Sequence, residues 1–323
     1  MSNSNQLEMM ERIALDLEGV ERALASSFNT GSEDFNTLIR PLSEAGGKRL
    51  RAQLCLLIAN AGTSVEAERI KIAEAVEMLH LATLIHDDVL DQAEIRRGEE
   101  TIHKHKGNKV AILSGDYLFA KAFRIVSEMP HMEYLKIFSH IITCLVEGEF
   151  MQMEDVYRID QGIDRYMTKT QKKTADFMEG CMELGGLLGG WSSDEIMYLK
   201  RYGHALGMAF QITDDIMDYR ETSDTTGKPV GNDLREGLLT YPLLSIVNES
   251  NQNQLLQDIK NLNHGGNEQE IIDYVIAQGG IDNTLRVAQQ YCDDALSALQ
   301  SIRDFDGKEF LVLAVQNLVD RKV

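Results

Sequence analysis

The chain has few of the residues that interrupt helices. Proline occurs only four times in 323 residues, at Pro41, Pro130, Pro229 and Pro242. Between them run long stretches of Ala, Leu, Glu, Met, Lys and Gln, all good helix formers. Alternating β-branched runs are nearly missing, so no sheet is expected. Cysteine is also scarce: Cys55, Cys144, Cys181 and Cys292 are scattered, with no CxxC spacing. That speaks against a thiolate metal site and fits reduced thiols in the core of a cytoplasmic protein. Positive charge is in deficit, with 32 Lys and Arg against 51 Asp and Glu, a net −19. No nucleic-acid partner is expected, because a phosphate backbone demands basic patches. No apolar run reaches the roughly 18–20 residues that span a bilayer. The opening MSNSNQLEMM has neither the basic nor the apolar region of a secretory signal. A cytoplasmic location is expected, with no transmembrane segment and with peripheral membrane contact left open.

What is present points to an all-α protein. Apolar residues make up 43% of the chain, ample for a large core. Leu7, Met10, Ile13, Leu17 and Val20 recur at helical spacing over 7–28. Residues 66–91 start amphipathic and then become apolar almost all round at 75–85, as in a helix buried on most sides. Further helices fit 108–128, 131–156, 164–190, 193–220, 238–249, 267–277, 281–302 and 307–320. Glycine doublets at 46–47, 189–190, 265–266 and 279–280 punctuate them. Residues 221–237 lack helical periodicity and suit an active-site loop as well as a linker. Nothing demands a second domain, so residues 1–323 are expected to form one large helical bundle.

Two acidic clusters carry the chemistry. Asp87, Asp88 and Asp91 form DDVLD at the end of the buried helix, and Asp214, Asp215 and Asp218 form DDIMD after the apolar run AFQIT. Residues four apart share a helix face. Like charges there repel, and the C-terminal end of a helix also disfavours anions. Magnesium, a hard ion that takes carboxylate oxygens and bridges to phosphate, would offset both. One such cluster alone is no more than a solvated helix end. Two, each following a buried stretch, would place six carboxylates about one cavity. Neither has the acid–glycine alternation of an EF-hand or the ExxH pairs of a di-iron bundle.

Cations accompany the acids. GGKRLR at 46–51 sets Lys48, Arg49 and Arg51 after a glycine pair, and Arg96 and Arg97 follow the first aspartates. Arginine offers a planar fork for phosphate oxygens. Each group could equally be an exposed basic patch or an ion-pair partner. His80 lies two turns before Asp87 on the same face, either a core histidine or a ligand-facing one. Lys173, Thr174 and Lys228 are weak signals singly.

The ordered set GGKRLR, DDVLD with RRG, KT, and QITDDIMD with GKPVGND resembles the trans-isoprenyl diphosphate synthase family, in its medium- to long-chain form such as hexaprenyl or heptaprenyl diphosphate synthase catalytic subunits. The landmarks run from residue 46 to about 243. The resemblance implies an all-α bundle around a deep central cavity, usually dimeric, that condenses isopentenyl diphosphate with an allylic diphosphate such as geranyl or farnesyl diphosphate. It implies that Asp87 and Asp91, supported by Asp88, bind Mg2+, and that Asp214 and Asp218 hold a further ion. Lys48, Arg51, His80 and Arg97 then correspond to isopentenyl diphosphate ligands. Arg96, Lys173, Thr174, Gln211 and Lys228 correspond to residues facing the allylic substrate. One departure is visible: Ala52 stands where the family usually has proline.

Product length follows from the residues behind Asp87. Short-product members commonly close the cavity with an aromatic near this point, whereas this chain has Ala82 and Thr83, then Leu79 and, deeper, Val76. A helical turn rises about 5.4 Å, close to one isoprene unit. The expected product is longer than C15, in the hexaprenyl to octaprenyl range of quinone side chains. Three rivals are a class I terpene cyclase, a non-catalytic helical subunit, and the catalytic half of a heteromer with a small regulatory subunit.

Overall fold

The computed structural model describes residues 3–28, 33–44, 49–96, 98–220 and 231–320. It divides into two compact units, one of Met1–Ser139, Cys181–Met197 and Asp304–Gly307, the other of His140–Gly180, Tyr198–Arg303 and Lys308–Val323. Both are built almost wholly of α-helix.

The first unit contains α1 (Asn3–Ser27), α2 (Glu33–Glu44), α3 (Leu50–Asn60) and α4 (Glu66–Leu90), then α5 (Ile102–Lys106), α6 (Asn108–Ser127) and the start of α7 (Met132–Glu154). The long helix α4 is its axis, packed along α6, α1 and α3. Glu66 and Glu68 occupy its first turn, where the macrodipole favours them. From Ile72 to Ile85 it is buried nearly all round, as its apolar stretch predicts. A buried polar knot ties three helices together. Asp16 of α1 accepts from Arg69 Nε of α4 at 3.0 Å and from Asn60 Nδ2 of α3 at 2.7 Å. Such a pair tolerates burial because each carboxylate oxygen finds a donor.

Between α4 and α5 the chain forms a small hairpin, β1 (Ile95–Arg96) antiparallel to β2 (Glu99–Glu100). This corrects the expectation of no sheet. Two-residue strands are too short to show any alternation.

The second unit contains α8 (Gly162–Thr170), a π-helical turn at Gln171–Ala175, α9 (Asp176–Leu188, ending in the first unit), the greater part of α10 (Ser193–Arg220), α11 (Asn232–Glu236), α12 (Tyr241–Leu244), α13 (Gln252–Asn261), α14 (Glu268–Ala277), α15 (Gly280–Gln300) and α16 (Lys308–Asp320). Ile212, Ile216, Tyr219, Leu243, Ile259 and Val275 belong to its core. The helix expected over 164–190 is thus broken by a π turn. The one expected over 238–249 shrinks to Tyr241–Leu244. Gly190, Gly265 and Gly279 each take positive φ at element junctions, as the doublets suggest. The four cysteines are buried free thiols.

Candidate active site

In the first unit α4 carries Asp87, Asp88 and Asp91 at its C-terminal end. Asp91 is the cap residue just past Leu90, and its N–H donates to Asp87 O at 2.8 Å. Asp87 is half-buried and Asp91 exposed, so two carboxylates stand a turn apart on an accessible face. Asp88 turns inward, 5% exposed, and accepts from Arg96 Nε at 2.6 Å. Arg96 therefore braces the cluster through Asp88, an arrangement set up by the hairpin that starts at Ile95.

The basic turn meets the same helix farther back. Arg51 Nη1 lies 3.4 Å from His80 Nε2, so two residues singled out for isopentenyl diphosphate come together. Arg51 is half-buried. Loss of water around its guanidinium lowers its pKa, with Cys181 and Glu77 pulling it back up. Arg49 adopts a left-handed conformation, φ 45°, just before α3. Its Nη1 donates to Glu77 Oε2 at 3.2 Å, and Ala52 N–H donates to Glu77 Oε1 at 3.2 Å. Ala52 thus uses an N–H that proline lacks. Lys48 and Arg97 lie outside the described residues.

Of the residues linked to product length, Val76, Leu79 and Ala82 are fully buried and Thr83 is half-buried, its hydroxyl donating to His80 O at 2.8 Å. Four helical residues subtend about 40° and five about 140°. Thr83 therefore shares the face of Asp87, while Ala82 points well away from it.

In the second unit a cleft of about 220 Å³ is lined by Lys169, Lys173, Thr174, Gln211, Asp214 and Asp215 among others. Four residues picked out from the sequence thus line one cleft. The local fold explains how. Gly207 on α10 lies so close to the π turn that a Cβ there would come within 2.6 Å of Ala175 Cα. One turn on, Gln211 Oε1 accepts from Thr174 Oγ1 at 2.9 Å. Its amide in turn donates to Asp215 Oδ1 at 3.1 Å, and the buried Tyr166 hydroxyl donates to Asp215 Oδ2. Lys173 Nζ lies 2.5 Å from Glu149 Oε2 and donates to Gln152 Oε1 at 2.9 Å. Lys228 lies outside the described residues.

Asp214 is exposed toward solvent, whereas Asp218 is half-buried. Asp218 accepts from Asn232 N–H at 3.0 Å and from Asp233 N–H at 3.2 Å. It therefore caps α11, a short helix in the stretch expected to be loop, and each of its oxygens keeps capacity for one more partner. The carboxylates here are crowded. Burial first, then the charges of Asp218, Asp215, Glu236 and Asp214, push Asp233 up to about 8. Burial pushes Asp215 up to about 7 against its hydrogen bonds from Tyr166 and Gln211. Asp218 rises to about 6 for the same leading reason. A site that makes carboxylates this hard to ionise suits a hard divalent cation, and its all-oxygen donor set is the kind magnesium takes.

Several participants escaped the sequence reading. Lys169 lines the cleft though nearly buried; its Nζ lies 3.3 Å from Gln161 Oε1 and 3.6 Å from the buried Asp155. Burial lowers its pKa, with Asp155 opposing. Tyr166, Asp233 and Thr240 line the cleft as well. Asp233 closes the GKPVGND motif, but no motif flags Lys169, Tyr166 or Thr240, which long-range packing brings in. Elsewhere in the second unit, His140, Cys144 and Asp176, and likewise Asp176, Glu179 and His204, bring donor atoms within 4.8 Å. Gln171 already donates to Asp176 and Lys200 lies 3.5 Å from Glu179.

Residues 32–278 match the family described as Polyprenyl synthetase. Octaprenyl diphosphate synthase of Escherichia coli (strain K12) is 32% identical over 312 residues, covering 95% of this chain and 96% of that protein. Heptaprenyl diphosphate synthase component 2 of Geobacillus stearothermophilus is 32% identical over 288 residues, covering 89% and 90%. Among solved structures, a polyprenyl synthase from Caulobacter crescentus CB15 complexed with calcium and isoprenyl diphosphate is similar with a TM-score of 0.88 and 31% identity, covering 100% of this chain and 98% of that one. This chain is a member of the polyprenyl synthetase family.

Proposed function

We propose that the chain condenses isopentenyl diphosphate with an allylic diphosphate, lengthening a trans-polyprenyl diphosphate beyond C15. The observation that carries this reading is the cleft of the second unit, which Lys173, Thr174, Gln211 and Asp214 line together. Names of relatives agree in kind: they include heptaprenyl, octaprenyl and nonaprenyl diphosphate synthases.

Magnesium, held by Asp87 and Asp91 and by Asp214 with Asp218, would supply positive charge where the allylic C–O bond breaks and diphosphate departs. The chain's own groups do the rest. Lys48, Arg51, His80 and Arg97 hold isopentenyl diphosphate, with the Arg51–His80 pair setting the position of its phosphates. Arg96 steadies Asp88, and Lys173 and Lys228 take the allylic diphosphate. Thr174 and Gln211, locked by their hydrogen bond, present oxygen dipoles that stabilise a carbocation without attacking it. Apolar residues such as Leu79 and Val76 exclude water, which would quench that cation. The double bond of isopentenyl diphosphate forms the new C–C bond, and proton loss to the departed diphosphate restores the alkene. No side-chain nucleophile is needed. Mg2+-dependent incorporation of labelled isopentenyl diphosphate tests the reading, and Asp87→Ala should abolish it.

Assembly belongs to the same proposal. On α7, Val146, Phe150 and Met153 recur at i, i+4 and i+7 while 47%, 62% and 56% exposed. An apolar stripe of this kind supports association, most simply as a homodimer. A second reading, a heterodimer with a small regulatory subunit, has one observation in its favour: the Geobacillus relative is named as a component of a synthase. Activity of the purified chain alone separates the two. Among the described residues no helix is long and apolar enough to cross a membrane.

A further inference from the structure

Glu77 is the most deeply buried acid near the basic turn, 1% exposed in the middle of α4. A carboxylate in that position is costly unless its charge is met and its oxygens are satisfied. Both conditions hold. Oε2 takes Arg49 Nη1 at 3.2 Å and Oε1 takes the Ala52 N–H at 3.2 Å. Those two partners flank Arg51 in sequence. Arg49 carries a positive φ of 45°, a conformation that a non-glycine residue keeps only when its surroundings impose it. Ala52 sits in the first turn of α3, where N–H groups have no partner within the helix and a carboxylate is favoured. One side chain of α4 therefore fixes both the bend before α3 and the first turn of α3.

Three residues farther along α4, on the same face, is His80, whose Nε2 lies 3.4 Å from Arg51 Nη1. Glu77 thus sets the backbone that carries Arg51 from the same helix that presents His80. We propose that Glu77 is the positioning residue of the isopentenyl diphosphate cradle, holding Arg51 in register with His80 through Arg49 and Ala52. The inference rests on the reading of Arg51 as a ligand of that substrate. It assigns Glu77 no contact with substrate, and no role toward the allylic diphosphate.

Steady-state kinetics of the full-length chain test this. Glu77→Ala removes both holds and is expected to raise the KM for isopentenyl diphosphate about tenfold or more. The KM for the allylic primer and kcat should stay within about twofold. Glu77→Gln keeps one acceptor oxygen, enough for one of the two donors, but loses the charge and sets an NH2 against the other donor, so its effect should be intermediate. That gradation also serves if the alanine variant fails to fold. A merely structural glutamate would instead lower thermal stability and move both KM values together, or neither, and either pattern in a folded variant overturns the proposal. Arg51→Lys separates the two layers. If it leaves the isopentenyl KM unchanged, the reading of Arg51 falls and this inference with it. If it raises that KM while Glu77→Gln and Glu77→Ala do not, the inference alone falls.

Discussion

Asp87 and Asp91 are two accessible carboxylates a turn apart at the wrong end of a helix for anions, while Asp88 between them is neutralised by Arg96. A divalent cation between them would offset the cost of holding two like charges there. Asp87→Ala should therefore lower isopentenyl incorporation by about a thousandfold or more without changing the fold, as checked by circular dichroism. Arg96→Ala should cost less, since Arg96 acts through Asp88; a loss equal to that of Asp87→Ala would mean that Arg96 touches substrate itself.

At the scale of elements, two helices decide the chemistry. α4 carries His80 and the first aspartates, and behind them it is buried and free of aromatics. Thr83→Phe, on the face of Asp87, should shorten the product, read by chromatography of dephosphorylated chains, and Ala82→Phe, which points away from that face, should shorten it less. α10 approaches the π turn only because Gly207 has no side chain. Gly207→Ala should destabilise the protein by about 1–3 kcal/mol and disturb the Thr174–Gln211 bond, lowering kcat.

Both helices were legible in the sequence, because long apolar stretches ending in paired aspartates combine a strong local pattern with an unusual charge. Legible too was the set Lys173, Thr174, Gln211 and Asp214 that lines the cleft. α3 was not, because LRAQLCLLIAN is buried on almost every side and shows no period to read. α11 was hidden for another reason: its N-terminus is capped by Asp218, some fourteen residues away. The role of Glu77 was missed likewise. A single glutamate in an apolar run looks like an interruption until Arg49, 28 residues distant, is seen to meet it.

At the scale of the molecule, the crowded carboxylates link stability, pH and metal. Unfolded aspartates titrate near pH 4, whereas burial holds Asp215 at about 7 and Asp233 at about 8. Between those limits the folded chain keeps protons that the unfolded chain has released, so metal-free stability falls as pH rises. The melting temperature in chelator should drop from about pH 6 to about pH 8, and magnesium should restore more at the higher pH. A metal-free melting temperature that rises over this interval would contradict the crowding argument.

The central claim is that this chain extends allylic diphosphates well beyond C15, into the hexaprenyl to octaprenyl range. Its most direct test mixes the purified protein with Mg2+, farnesyl diphosphate and labelled isopentenyl diphosphate, and sizes the products by chromatography. The account predicts label in all-trans chains in the hexaprenyl to octaprenyl range, dependent on magnesium; no incorporation would contradict it, and so would a product that stops one unit past the primer.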